Sequence, residues 1–219
     1  MKRPFVKFCG FRRAEDVQLA SRLPVDALGF ILVPGRRRTV TREDLPDLIR
    51  YVSPAQMAIG VLQNPTWEEV KSWLKLVPFS GIQLHGEESA AFCRKLKSTF
   101  SVHVTKVIHI QEQADPMEEL EVYRPWVDAI LLDKEAGNIR GGTGQSFAWD
   151  SIPSWKESCR KAEIPLWIAG GINEANVVDL IKHYQPDGID VSSGIEKNQQ
   201  KDGATMRLFI ERVEKACQQ

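Results

Sequence analysis

Apolar runs of four to seven residues alternate with amphipathic stretches along almost the whole chain. The strand-like runs are Pro4–Cys9, Ala27–Val33, Met57–Leu62, Gly81–His85, Val102–Ile108, Ala129–Asp133, Leu166–Ala169 and Gly188–Val191. Between them the spacing predicts helices over Arg13–Ser21, Arg42–Tyr51, Trp67–Leu76, Glu88–Ser98, Pro116–Tyr123, a broken stretch Trp149–Lys161, Glu174–His183 and Thr205–Lys215. Start signals accompany several of them. Asn64-Pro65-Thr66 places a capping residue before Trp67-Glu68-Glu69, and Asn173 precedes Glu174.

Strand–helix alternation implies parallel pairing through right-handed crossovers. Eight units of about 27 residues favour closure into a single α/β TIM barrel, (β/α)8, over an open doubly wound sheet. No linker, composition shift or low-complexity tract divides the chain, so one domain over residues 1–219 is expected. In such a barrel the chemistry lies at the C-terminal strand ends, with phosphate bound at the loops after the seventh and eighth strands.

Two glycine-rich turns fall at those loops. Ala169-Gly170-Gly171-Ile172-Asn173 follows the seventh strand, and Ser192-Ser193-Gly194-Ile195 follows the eighth. A strand that stops on small residues and opens a helix aims backbone N–H groups and the positive helix end at one spot. Side by side, two such turns predict a cup for a phosphate.

Composition narrows the partners. The 29 basic and 29 acidic residues cancel, so no global field favours nucleic acid or an acidic membrane. Arg36-Arg37-Arg38 is a local basic cluster, either a solvated loop or an anion clamp. Cys9, Cys93, Cys159 and Cys217 are scattered, without the spacing of a disulfide framework or zinc knuckle. The first residues lack the apolar core of a signal peptide, and no apolar run is long enough to span a bilayer. A reducing cytoplasm is the expected setting.

Polar groups at the strand ends carry the candidate chemistry. The first strand ends Lys7-Phe8-Cys9-Gly10, and alternation puts Lys7 and Cys9 on one face. If that face is inward, a thiol stands at the barrel mouth above an ammonium. A nearby cation lowers a thiol pKa and favours the thiolate, a base near neutral pH. The competing reading of Cys9 is a small buried hydrophobe. Asp133 ends the apolar sixth strand, where a carboxyl is costly to bury without a task or a partner. A raised pKa would suit it to proton donation, and a turn-capping role competes. The glycines of Gly141-Gly142-Thr143-Gly144 admit close approach of backbone to a ligand, or give a flexible loop. Gln83 and His85 share a face at the end of the fourth strand, as Asp190 and Ser192 do at the eighth. The first and eighth strands meet when the barrel closes, so a Lys7–Asp190 pair is expected.

These residues form an ordered series. Lys7-Phe8-Cys9-Gly10, Gly29-Phe30 followed by Arg38, Gly60-Val61 followed by Asn64, Gln83-Leu84-His85-Gly86, Leu131-Leu132-Asp133 with Gly141-Gly142-Thr143-Gly144, Ala169-Gly170-Gly171 and Asp190-Val191-Ser192-Ser193-Gly194 occur in turn. The series resembles phosphoribosylanthranilate isomerase, a barrel family of tryptophan biosynthesis. The likeness covers nearly the whole chain, with signatures at seven of the eight strand ends. Each motif alone is weak; the ordered set is specific.

The resemblance implies that N-(5-phosphoribosyl)anthranilate is rearranged to 1-(2-carboxyphenylamino)-1-deoxyribulose 5-phosphate, an Amadori reaction needing no metal or organic cofactor. It implies Cys9 as general base and Asp133 as general acid. Arg38 would pair with the anthranilate carboxylate, and Gly142, Gly144, Gly170, Gly171, Ser192, Ser193 and Gly194 would form the phosphate cup. Lys7, Gln83, His85 and Asp190 complete the substrate site, with Asp190 ordering the base side. The chain departs from the pattern at Arg36, where many relatives carry serine, and at Gln63, where an apolar residue is common. The polar stretch Glu135–Arg140 reads as a lid.

Rival chemistries fit less well. A histidine-pathway isomerase would want aspartate in place of Cys9. A metal-dependent epimerase would want paired histidines and carboxylates, yet of His85, His103, His109 and His183 only His85 falls at a strand end. A non-catalytic phosphate-binding barrel would keep the cup without Cys9 and Asp133. The expected partner is a small phosphosugar, not a nucleic acid or a membrane. Monomer and homodimer both remain open.

Overall fold

The computed structural model describes residues 1–109, 116–133 and 149–218. In chain order the strands are β1 (Phe5–Cys9), β2 (Ala27–Ile31), β3 (Met57–Leu62), β4 (Gly81–Leu84), β5 (His103–His109), β6 (Ala129–Asp133), β7 (Leu166–Ile168) and β8 (Gly188–Val191). Between and after them lie α1 (Ala14–Ala20), α2 (Leu45–Ile49), α3 (Trp67–Leu76), α4 (Ala90–Thr99), α5 (Pro116–Tyr123), α6 (Ile152–Lys161), α7 (Val177–Tyr184) and α8 (Gly203–Cys217). All eight strands pair in parallel and in sequence order, and β8 returns to β1 to close the barrel.

Both faces of each strand are covered. Inward side chains such as Ala27, Ile59, Val107, Leu131 and Trp167 fill the barrel. Outward ones pack under the helices, as where Phe8 meets the edge of Phe209 at 5.7 Å. Thr66 and Glu69 form a reciprocal capping box at the start of α3, and Ser89 and Asp202 cap α4 and α8. The N-terminal end of the barrel is braced in a repeating way. Asp26, Asp128 and Asp187, each just before an even-numbered strand, accept the N–H of Val6, Val104 and Leu166 on the odd-numbered strand preceding it.

Three elements differ from the sequence expectation, each for a local reason. Helix α2 is shorter than Arg42–Tyr51, because Thr41 and Asp44 bond to each other across a turn before it. Helix α7 starts at Val177 rather than Glu174. Asn173 and Asn176 accept the backbone N–H groups of Ala175 and Asn173, which holds that segment as a turn. The largest difference follows β8. Ser192–Ile195 does not open a helix; it runs into an antiparallel hairpin of β9 (Glu196–Lys197) and β10 (Gln200–Lys201) before α8. Asn198 and Gln199 both take positive φ, 51° and 62°, the conformation that a tight two-residue hairpin turn requires. The second glycine turn therefore has no helix directly behind it.

Near the bottom of the barrel Trp167 stacks between Phe5, at 4.5 Å, and His103, at 5.5 Å. Gly188 on the neighbouring strand lies directly against the indole, so a Cβ there collides with a ring that cannot retreat. Gly188→Ala should lower stability by about 1–3 kcal/mol, the usual range for overpacking, read as an earlier urea midpoint. An unchanged midpoint would contradict this packing.

Candidate active site

The C-terminal strand ends surround a cavity of about 820 Å³. Its wall takes Cys9 from β1, Arg36 to Arg38 from the loop after β2, His85 after β4, His109 from β5 and Asp133 from β6. Gly170 and Gly171 follow β7, and Asp190 to Ser193 complete the wall at β8. Of the residues singled out in the sequence, Gly142 and Gly144 lie outside the described residues, as does the stretch 135–140.

Lys7 and Cys9 both point inward. Lys7 is fully buried, and its Nζ donates to Asp190 Oδ2 at 2.9 Å across the β1–β8 seam, where the two residues are paired in register. Gly29 on β2 makes the space: a Cβ there would stand 2.7 Å from Cys9 Sγ and 2.9 Å from Lys7 Nζ. Burial opposes the Lys7 ammonium, but Asp190 and Cys9 outweigh it and its pKa rises. The Cys9 thiol departs from the expectation of a lowered pKa. Burial pushes it up more than Lys7 and Lys201 pull it down, and Asp190 adds to the rise. A cation already paired with a carboxylate polarises a neighbouring thiol weakly. Cys9 rests as the thiol.

Asp133 lines another part of the same cavity. Asp133 Oδ2 lies 3.4 Å from His85 Nε2, and both side chains are partly exposed to the cavity. Gln83, buried, places its Nε2 3.3 Å from His85 Nδ1. The His109 ring packs on His85 with centroids 5.3 Å apart, and its Nε2 lies 3.3 Å from the His85 carbonyl. Gln83, His109 and Asp133, from three adjacent strand ends, thus gather around His85.

The two glycine turns meet. Asn173 and Gly194 form an isolated parallel bridge, and a Cβ on Gly194 would run into the Ile172 carbonyl. Gly170 and Gly171 take φ of 86° and 68°, which side-chain-bearing residues rarely adopt. Ser192 Oγ donates to the Cys9 carbonyl at 3.0 Å and ties the β8 turn to the end of β1.

The three arginines do not behave alike. Arg38 grips Glu196 through Nε at 2.6 Å and Nη2 at 2.9 Å. Arg37 reaches the same carboxylate at 2.7 Å, and Lys201 Nζ reaches it at 3.0 Å while also donating to the Ser192 carbonyl. Arg36 turns instead to Gln63 Oε1, at 3.0 Å. Burial works against the Glu196 carboxylate, yet Arg38, Arg37 and Lys201 hold its pKa down to about 2.

Sequence reasoning did not single out Glu196 or Lys201, because their role depends on a hairpin expected as helix approach. It also missed Glu88. That buried carboxylate accepts the N–H groups of Asn64 and Gly86 and pairs with buried Lys106 at 3.0 Å, locking the loops after β3 and β4 together. A lysine in the middle of an apolar strand was the available signal. Among the described residues, no group of three or more His, Cys, Asp or Glu side chains could hold a metal ion. No helix among them is long and apolar enough to cross a membrane.

A closed (β/α)8 barrel whose mouth is lined by a thiol and a carboxyl from different strand ends, beside twin glycine turns, defines a phosphosugar-isomerase class of site. The family model for N-(5'phosphoribosyl)anthranilate (PRA) isomerase matches residues 6–212. The N-(5'-phosphoribosyl)anthranilate isomerase of Brevibacillus brevis is 36% identical over 208 residues, covering 95% of this chain and 92% of that one. The crystal structure of phosphoribosyl anthranilate isomerase from Thermotoga maritima superposes with a TM-score of 0.82 at 30% identity, covering 97% and 99% of the two chains. A phosphoribosyl anthranilate isomerase in complex with reduced 1-(o-carboxyphenylamino)-1-deoxyribulose 5-phosphate has a TM-score of 0.81 at 29% identity, with the same coverage. The chain belongs to the N-(5'-phosphoribosyl)anthranilate isomerase family.

Two pH-dependent outcomes follow from the geometry. Alkylation of Cys9 by iodoacetamide, mapped by mass spectrometry, should be slow at neutral pH and accelerate with a midpoint above the ordinary cysteine value, because the raised pKa keeps the thiolate scarce. A midpoint below that value would contradict the balance of burial over cation. The Glu196 cluster stabilises the fold fully above the ordinary glutamate pKa of 4.5 and loses that effect as pH falls towards 2. Glu196→Gln should therefore shift the urea midpoint down at neutral pH, with the gap to wild type closing in acid.

Proposed function

We propose that this chain isomerises N-(5-phosphoribosyl)anthranilate to 1-(2-carboxyphenylamino)-1-deoxyribulose 5-phosphate, with Asp133 as general acid and Cys9 as general base. The observation that carries this is that both groups line one cavity, beside the paired turns at Gly170-Gly171 and Ser192-Ser193-Gly194. The turns hold the 5′-phosphate through backbone N–H groups; the expected contribution of Gly142 and Gly144 lies outside the described residues. Asp133, beside His85, delivers a proton to the ribose ring oxygen and the ring opens to a protonated Schiff base. Cys9 then removes the proton from C2 to give an enolamine, which tautomerises to the ketose.

The thermodynamics of Cys9 suits this order. A thiol that is neutral in the empty site does not tie up Lys7 or repel the incoming anionic substrate. The iminium charge formed on ring opening stands close to Cys9 and favours its ionisation when the base is needed. Burial, which raises the pKa, also makes the thiolate a stronger base. Lys7 and Asp190 order that side, while Gln83 and His85 order the acid side. Arg38, oriented by Glu196 through one edge of its guanidinium, offers its remaining donors to the anthranilate carboxylate.

Every residue in this scheme comes from one chain, so a single barrel domain over residues 1–219 carries the reaction as a monomer or within a homodimer. A reducing cytoplasm suits a mechanism that depends on a free cysteine, and all four cysteines are free.

Purified protein should consume the fluorescence of the anthranilate substrate without added metal or cofactor, and should leave the histidine-pathway substrate unchanged in a parallel coupled assay. Cys9→Ala and Asp133→Ala should each lower turnover by about 10² to 10⁴, the usual worth of a positioned proton transfer. Full turnover in Cys9→Ala would remove the base assignment.

A further inference from the structure

The loop after β2 carries three consecutive arginines, and two of them are already engaged. Arg37 spends Nη1 on the Gln199 carbonyl at 2.7 Å and Nη2 on Glu196. Arg38 spends its Nε–Nη2 edge on the same carboxylate. Arg36 has a different environment. Its side chain bonds to Gln63 Oε1 at 3.0 Å, a neutral acceptor, and among the described residues no carboxylate pairs with the guanidinium.

Arg36 is exposed, but its backbone is fixed. Its N–H donates to Thr39 Oγ1 at 3.1 Å and its carbonyl accepts from Thr39 N–H at 3.0 Å, while Thr39 Oγ1 also donates to the Val33 carbonyl. Gly35, with φ of 73°, makes the turn that precedes it. The Arg36–Gln63 bond joins the β2 loop to the neighbouring β3 loop at the rim. Just inside it, Ile31, Val33 and Val61 give that flank of the cavity an apolar wall.

In barrel order only β1 separates β2 from β8, and Glu196 ties Arg37 and Arg38 to the hairpin after β8, so this flank lies beside the twin turns along the rim of the same cavity. A phosphosugar pinned at those turns by its phosphate extends its far end over β2 and β3. A flat aromatic ring fits the apolar wall, and an anionic group on the ring meets the rim where Arg36 stands. We propose that Arg36, anchored by Gln63, is a second carboxylate-binding arginine that selects the ring carboxylate of the substrate alongside Arg38. This rests on the isomerase reading above and adds to it a specificity-determining pair. A planar guanidinium held at one nitrogen keeps its other donors aimed, so it recognises a carboxylate at little further ordering cost.

The test is calorimetric titration of wild type, Arg36→Ser and Gln63→Ala with two probes. One is reduced 1-(o-carboxyphenylamino)-1-deoxyribulose 5-phosphate; the other is the same compound without the ring carboxyl. Arg36→Ser should weaken the carboxylated probe about fivefold, as loss of a solvent-facing charge pair predicts, and change the other less than twofold. Gln63→Ala should do the same to a smaller degree. With substrate, Arg36→Ser should raise KM by a similar factor and change kcat less than twofold. Equal weakening of both probes would assign Arg36 to general attraction of the phosphate, and no weakening of either would leave it a solvated side chain; both overturn the proposal. Failure of wild type to bind either probe or to turn over the substrate would instead remove the isomerase reading, and this inference with it.

Discussion

The buried pair of Lys7 and Asp190 is the interaction on which the site depends. Its two members are 183 positions apart in the chain, and only closure of β8 onto β1 brings them together. Removing either would leave an uncompensated charge in the barrel, a cost of about 3–5 kcal/mol. The pair therefore binds the last strand to the first from inside the wall. It also sets the conditions for Cys9, one step further up the same face. Because Asp190 already answers the Lys7 charge, the thiol feels its burial more than its cation and remains protonated.

A second tether works at the rim. Glu196 on the hairpin after β8 collects Arg37 and Arg38 from the β2 loop, and Lys201 links that carboxylate to the Ser192 carbonyl. One acidic side chain thereby connects the loop proposed to read the carboxylate with the turn proposed to hold the phosphate. The two ends of a single substrate would be recognised by loops that cannot move independently. The Glu88–Lys106 pair plays a parallel part between the loops after β3 and β4, next to His85.

Much of this was legible in the sequence. The eight apolar runs became the eight strands with ends shifted by two residues or fewer, because a strand buried on both faces is predominantly apolar. Thr66 capped α3, in keeping with the start signal at Asn64-Pro65-Thr66. Helix starts were harder to place. At Asn173 and Thr41 a polar side chain bonds its own neighbourhood and delays the helix, a competition that hydrophobic period does not register. The hairpin at residues 196–201 was missed because four residues in two strands are too short to show alternation.

The sequence alone determined the α/β alternation, the barrel count, the family, and which residue types stand at the strand ends, since local periodicity and ordered motifs are written along the chain. The tertiary structure decided what those residues do to one another. That Cys9 rests as a thiol depends on a carboxylate from the far end of the chain. That Glu196 holds Arg37 and Arg38 while Arg36 turns to the Gln63 amide depends on a hairpin and a neighbouring strand. Electrostatic character is set by distance and burial in three dimensions, and neither can be read from position along the chain.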